Sequence, residues 1–188
     1  MSGPVLSFTP VTAADLPLLA AWMDQPHWRD WWSDDVATEL GYIRDIIAGR
    51  DSTRAFLFRL DGRPVGYIQV WWIADARVEP WLSDAPWVMD LPDDAVGVDL
   101  SIGPPDLLSQ GIGSQVLARF VAMLRAEGHR TIVIDPDIAN HRAIRAYRKA
   151  GFQPIAELAG RTGDVLLMRH EGPGTEQSAG RHVATGTP

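Results

Sequence analysis

The chain has 188 residues, 46% hydrophobic and 22% charged, with no cysteine, and one domain around a main core is the economical reading. The lack of cysteine excludes disulfides, thiolate-bound zinc, iron–sulfur clusters and a thiol nucleophile, and it fits a reducing compartment. With 24 Asp and Glu against 17 Lys and Arg, the net charge is -7, which argues against nucleic acid or an anionic membrane as partner and for a cationic one.

The opening MSGPVLSFTP lacks a basic stretch ahead of a long apolar run, and no segment approaches the ~18 apolar residues of a membrane span. A soluble, cytoplasmic protein is therefore expected. Val5 to Phe8 reads as a short strand, and Thr12 three residues before Asp15 has capping-box spacing, which predicts a helix over 13–23. Val36, Leu40, Ile43 and Ile47 predict a second helix that ends near Gly49. Ala55–Leu60 and Pro64–Trp72 read as antiparallel strands around an Asp61-Gly62 hairpin turn. Residues 73–95 carry Pro80, Pro86 and Pro92 and read as a long loop or irregular hairpin. Val96–Ile102 is the next strand. After a Gly-Pro-Pro break, Ile112, Val116, Leu117, Phe120, Val121 and Leu124 mark one face of a helix that stops near Gly128. Thr131–Ile134 is a short strand, 139–150 a helix closed by Gly151, and Phe152–Leu158 and Asp164–Met168 two more strands. Residues 1–170 form the expected domain, and the Gly, Ser, Thr and Pro-rich 171–188 a tail too polar to bury its own core.

The turn from Gly103-Pro104-Pro105 to Gln110-Gly111-Ile112-Gly113-Ser114 joins a strand to a helix. Glycines there let backbone N–H groups approach an anion such as a pyrophosphate at the positive helix end. Neither GxGxxG nor GK[ST] is present. Further on, Asn140 near a helix start and Tyr147 two turns later share a face, followed by Gly151-Phe152. Together these segments resemble the GCN5-related N-acetyltransferases (GNAT), over roughly Phe8 to His170. Within them the aminoglycoside 6'-N-acetyltransferases are the most similar, through His27-Trp-Arg-Asp-Trp31-Trp32, Gly66-Tyr-Ile-Gln69, Gly97-Val-Asp99 and Asp135-Pro136. Like them, the chain has an apolar Leu108 where the family loop usually has Gln or Arg.

The resemblance implies an α/β (α+β) fold with a mixed, mostly antiparallel twisted sheet of six to seven strands flanked by about four helices. It implies acetyl-coenzyme A as co-substrate, held by Leu100, Ser101, Ile102, Gln110, Gly111, Ile112, Gly113, Ser114, Asn140, Ala143 and Tyr147. It also implies Asp99 facing the acceptor amine, with Asp135 helping to hold the acceptor, and no metal. The five histidines form no HxH or HxxxH pair, which agrees with the last point.

The acceptor side is rich in acid and tryptophan. Asp75, Glu79, Asp84, Asp90, Asp93, Asp94 and Asp99 are opposed only by Arg77, and Asp24, Asp30, Asp34 and Asp35 surround Trp28, Trp31 and Trp32. Carboxylates attract ammonium groups and indole faces hold cations or cover sugar rings, which suits a polyamine or aminosugar. The residues expected on the acceptor are Trp31, Trp32, Tyr67, Gln69, Glu79, Trp81, Asp84, Trp87, Asp99 and Asp135. Alternation with Val98 and Leu100 turns Asp99 to the opposite strand face, where it would bind the ammonium and accept its proton, with Tyr147 as the acid for the departing thiolate. Arg142, Arg145, Arg148 and Lys149 form a basic cluster suited to coenzyme A phosphates or to an exposed helix face.

Two alternatives compete. One is a siderophore-biosynthesis hydroxylysine N-acyltransferase, a branch that also resembles the chain around Gly103-Pro104-Pro105 but usually has His at the position of Asp99. The other is a non-catalytic acyl-coenzyme A sensor, which needs neither Asp99 nor Tyr147. The expected partner is a cationic small molecule, without nucleic acid or membrane, in a monomer or weak homodimer.

Overall fold

The computed structural model describes residues 4–172, so the expected tail lies outside the described residues apart from its first two positions. The elements are β1 (Leu6–Pro10), α1 (Leu16–Met23), α2 (Pro26–Arg29), α3 (Val36–Ile47), β2 (Arg54–Leu60), β3 (Arg63–Trp72), α4 (Trp81–Asp84), β4 (Val96–Ile102), α5 (Ile112–Ala126), β5 (Ile132–Ile134), α6 (His141–Lys149), β6 (Phe152–Pro154) and β7 (Met168–His170). The strands form one sheet in the order β1-β2-β3-β4-β5-β7-β6, with β4 and β5 parallel and the other neighbours antiparallel. This is the mixed α/β sheet the sequence predicts, with the four long helices in place.

Local signals account for the elements. The Asp15 carboxylate accepts from the Thr12 N–H (2.9 Å) and hydroxyl (2.7 Å); a 3-10 turn over Ala13–Asp15 then leads into α1. Asp61 and Gly62 both have positive φ, 49° and 80°, the backbone a tight hairpin turn with matching strand twist requires. Alternation in β3 sends Ile68 and Val70 to the core under α5, and Tyr67 to a second core under α1 to α3. In the first core Phe120 meets Phe8 and Phe56 edge-on, with centroids 5.2 and 5.6 Å away.

Three predicted segments differ. The strand expected over Phe152–Leu158 ends at Pro154, because Ile155 and Leu158 are both buried in a third core. A spacing of three puts both on one side only in a helical turn, and Ala156–Leu158 is 3-10. The strand expected over Asp164–Met168 falls later, at Met168–His170, because 164–166 bond instead to 136–138: Ile138 N–H to the Asp164 carbonyl (2.9 Å) and Leu166 N–H to the Pro136 carbonyl (2.8 Å). Within 73–95, α4 and a 3-10 turn over Pro86–Asp90 break the expected loop. Arg77 fastens the segment, donating to the Leu91 carbonyl at 2.6 Å and to the Val88 carbonyl and Asp93.

Gly66 on β3 sits where Phe58 and β4 close in: an added Cβ would overlap the Phe58 ring and lie 2.5 Å from the Ser101 carbonyl. Gly66→Ala is expected to cost about 1–3 kcal/mol through overpacking, read as a lower urea midpoint at unchanged m. An unaltered midpoint would show that the Phe58 ring moves aside freely.

Candidate active site

The cleft begins where a strand pair ends. β4 and β5 are paired only at Val96↔Ile132 and Gly97↔Val133. The Val96 N–H donates to the Thr131 carbonyl beside β5 (3.0 Å), while the Gly103 N–H donates to the Val65 carbonyl of β3 (2.9 Å). Backbone groups of the even-numbered residues therefore face β5 and those of the odd-numbered ones face β3. Past the last paired position the N–H groups of Leu100 and Ile102 point into the opening with no strand to receive them. The Ile102 carbonyl is taken: His27 Nε2 (2.8 Å) and Trp28 Nε1 (3.0 Å) both donate to it.

The opening widens into a cleft of about 370 Å³ between β4, the start of α5 and α6. Gly111 caps α5 with φ 81° and no side-chain bond to the first-turn amides. Ser114 Oγ turns back to the Gly111 carbonyl (2.8 Å), and a Cβ on Gly113 would meet nothing nearer than Leu100 Cδ1 at 3.9 Å. The first-turn amides thus carry no side-chain cap, the arrangement that an anion at a helix start needs. Across the cleft, Asn140 Oδ1 accepts from the Ala143 N–H (3.1 Å) and starts α6. Arg142, Arg145 and Lys149 line the same cleft at helical spacing on one face.

Acid gathers at the inner end. Asp99 and Asp135 line the cleft together, and among the described residues neither has an ion-pair partner. Burial raises the Asp99 carboxyl above the usual range, opposed by hydrogen bonds from Gln69 and Trp71. Asp135 is pushed well above it, first by burial and then by the charge of Asp99. The Tyr147 phenol is raised by burial and by both carboxylates, so it stays protonated at neutral pH. Gln69 Nε2 donates to Asp99 Oδ2 (2.9 Å), and the Tyr67 hydroxyl donates to Gln69 Oε1 (2.6 Å).

Of the residues expected at a site, the cleft brings together Trp31, Trp32, Asp99, Leu100, Ser101, Ile102, Gly111, Ile112, Gly113, Ser114, Asp135, Asn140, Ala143 and Tyr147. Gln110 is turned away, its amide donating to the Asp106 carbonyl (2.6 Å). Tyr67 is wholly buried, and with Gln69 it supports Asp99 from beneath rather than lining the cleft. Trp87 does not line the cleft: it is buried at 4% exposure and packs against Trp71 in the third core. Glu79, Trp81 and Asp84 are exposed outside the lining, Glu79 accepting from Ser83 Oγ (2.6 Å) and Trp81 meeting Tyr42 edge-on. The sequence reading gives no site role to His27, quoted only within a motif of the resemblance, or to Trp71. His27 carries no spacing signal, and Trp71 needs the strand register, which sets it opposite Gly97, whose missing side chain makes room for the indole. Among the described residues no three His, Cys, Asp or Glu side chains gather as a metal site, and no helix is long and apolar enough to cross a membrane.

Known proteins share this architecture. Aminoglycoside N(6')-acetyltransferase type 1 of Klebsiella pneumoniae is 28% identical over 165 residues, covering 84% of this chain and 79% of that protein. The lysine N-acyltransferase MbtK of Mycolicibacterium paratuberculosis is 25% identical over 167 residues, covering 87% and 72%. The crystal structure of aminoglycoside acetyltransferase AAC(6')-Ib in complex with coenzyme A and kanamycin superposes with a TM-score of 0.70 at 24% identity, over 88% of this chain and 94% of that one. The family model described as an acetyltransferase (GNAT) domain matches residues 11–159, and the chain belongs to that family of acetyltransferases.

Proposed function

We propose that the protein transfers an acetyl group from acetyl-coenzyme A to a primary amine of a cationic small molecule, with the 6'-amino group of an aminoglycoside as acceptor. The observation that carries this reading is the pair of carboxylates, Asp99 and Asp135, sharing one cleft with no ion-pair partner for either among the described residues. Two raised carboxyls side by side favour a ligand that brings its own positive charge. Trp31, at 42% exposure, and Trp32 add faces for a sugar ring or an ammonium on the same wall. The named relatives that act on aminoglycosides support this acceptor.

The donor half fits coenzyme A. The uncapped first turn of α5 receives the pyrophosphate, Arg142, Arg145 and Lys149 supply cations along the same wall, and the unpaired edge of β4 at Leu100 and Ile102 accepts the pantetheine amides as a strand would. In the reaction Asp99 binds the acceptor ammonium and takes its proton, and the neutral amine attacks the thioester carbonyl carbon. A β4 N–H aimed into the cleft stabilises the oxygen anion that develops there. The carbon–sulfur bond then breaks, Tyr147 gives its proton to the leaving sulfur, and the second proton that the nitrogen sheds as the amide forms restores the phenol. The raised Tyr147 phenol is a weak acid in the free enzyme. Burial is the first cause of that rise, and an ammonium bound between Asp99 and Asp135 offsets only the part due to their charge.

Thiol release from acetyl-coenzyme A is expected with kanamycin and tobramycin, which offer a free 6'-amine, and absent with 6'-hydroxyl counterparts. Turnover with N6-hydroxylysine alone would move the acceptor to a lysine derivative, in line with the lysine N-acyltransferase relative. Asp99→Asn should lower kcat/KM by about 10²- to 10⁴-fold, and Tyr147→Phe should lower kcat by about 10²-fold with little change in either KM.

The reactive form needs ionised Asp99, so kcat/KM rises with pH through a limb above the ordinary carboxylate range. Asp135→Asn removes the like charge and should shift that limb to lower pH. A carboxyl raised in the folded state binds its proton more tightly there than when unfolded, so its contribution to stability is lost as pH rises through the folded value. Asp135→Asn should therefore raise the thermal midpoint of the free enzyme at pH 7, with the gain vanishing below about pH 3.9, the unperturbed aspartate value. An equal or lower midpoint at pH 7 would contradict the burial and charge that raise Asp135.

A further inference from the structure

The face of the sheet beneath the acceptor holds an ordered run of polar groups. β3 and β4 pair with Tyr67 opposite Ser101, Gln69 opposite Asp99 and Trp71 opposite Gly97, so these six residues share one face. Tyr67 is fully buried at 0% exposure, with Trp28 and Trp32 packed on its ring at 6.3 and 5.7 Å. We infer that Tyr67 and Gln69 act in series as positioning residues for Asp99, with Tyr67 fixing which end of the Gln69 amide meets the carboxylate and Gln69 fixing the carboxylate itself.

The direction of the chain follows from donor and acceptor counting. An ionised carboxylate only accepts, so the NH₂ of Gln69 faces Asp99 Oδ2 at 2.9 Å. That leaves Oε1 for Tyr67, whose hydroxyl donates to it at 2.6 Å. Flipping the amide would set an oxygen against the carboxylate and an NH₂ against the phenol. With the phenol proton committed to Gln69, and both Trp rings bearing on the phenol, the amide has one orientation. The acceptor wall of α2 and the residues after it thus reaches Asp99 through Tyr67 and Gln69, although neither lines the cleft.

This role rests on Asp99 being the base proposed above, and its test separates the two ideas because it needs no acceptor. The groups facing Asp99 are Asp135 at the end of β5, Glu39 on α3, Tyr67 on β3 and Tyr147 on α6. All are acidic, so among these neighbours only hydrogen-bond donors oppose the rise that burial imposes on the Asp99 carboxyl, and Gln69 is first among them. The carboxyl carbon of Asp99 is titrated by ¹³C NMR in aspartate-labelled protein, with Asp99→Asn as the assignment control. Gln69→Met keeps the length and removes the donor, so the Asp99 midpoint should move to higher pH. Tyr67→Phe, one oxygen smaller, should move it the same way by less, and should add nothing in the Gln69→Met background. With an acceptor that turns over, kcat/KM near neutral pH should drop about tenfold in Gln69→Met, and its acid limb should follow the NMR midpoint. A midpoint unmoved in either folded variant overturns the role. So does an additive double variant, which would make Tyr67 act independently of Gln69. If the midpoints move as expected while no amine is acetylated, the relay stands and the proposed reaction fails.

Discussion

The structure depends on how early β4 and β5 part. Two paired positions, Val96↔Ile132 and Gly97↔Val133, hold the parallel junction, and every backbone group beyond them on that edge of β4 must find another partner. The Ile102 carbonyl finds His27 and Trp28, whereas the N–H groups of Leu100 and Ile102 remain turned to the cleft. A sheet interior normally satisfies such groups with a neighbouring strand. Here the vacancy makes a strand edge at the bottom of a cleft, next to the uncapped start of α5. An extended amide chain carrying phosphates at its far end is the molecule with groups of the right kind in the right order.

The same parting explains the acid. Asp99 lies two residues past the last β4–β5 pair, and Asp135 one residue past the end of β5, so both sit at the apex where the strands diverge. Burial raises both carboxyls, and each is disfavoured as a charge until a cation arrives. The protein contributes neutral donors, Gln69 and the Trp71 indole, instead of an Arg or Lys. An arginine there would stabilise the empty site and compete with the substrate for it. Neutral donors hold the carboxylate in place and leave its charge to be balanced by the ligand.

Much of this was legible in the sequence because it is local. Asp61-Gly62, Thr12 with Asp15, and the Ile112 to Leu124 stripe each depend on residues within a turn or two, and each forms as expected. The GNAT resemblance brought Gly111 to Ser114 and Asn140 to Tyr147 to one cleft for the same reason: they are contiguous segments whose placement follows from one strand and two helices. Composition was a poorer guide to the acceptor half. Acid and tryptophan in 73–95 suggested a binding wall, yet Trp87 fills a core and Glu79, Trp81 and Asp84 lie outside the cleft. In a segment with two short helical turns, no fixed period tells inward from outward. Trp71 was unreadable for a different reason: its place beside Asp99 depends on Gly97 being its cross-strand partner, a register fact between residues 26 positions apart in the chain.

The helices before β2 complete the coupling of the two halves. Trp22 of α1 lies against Gly103, where a side chain of any size would overlap its indole. Trp28 of α2 both donates to the Ile102 carbonyl and packs on Tyr67. One short stretch of chain is thereby fastened to the end of the donor strand and to the base of the Gln69–Asp99 pair. A shift of α2 to admit a larger acceptor would pull at the Ile102 carbonyl and at the phenol that orients Gln69. In the proposed reaction, acceptor shape, carboxylate orientation and the donor-binding edge are therefore held by the same few contacts, and the 2.8 and 3.0 Å bonds to the Ile102 carbonyl are where the proposed acceptor wall and donor strand constrain each other.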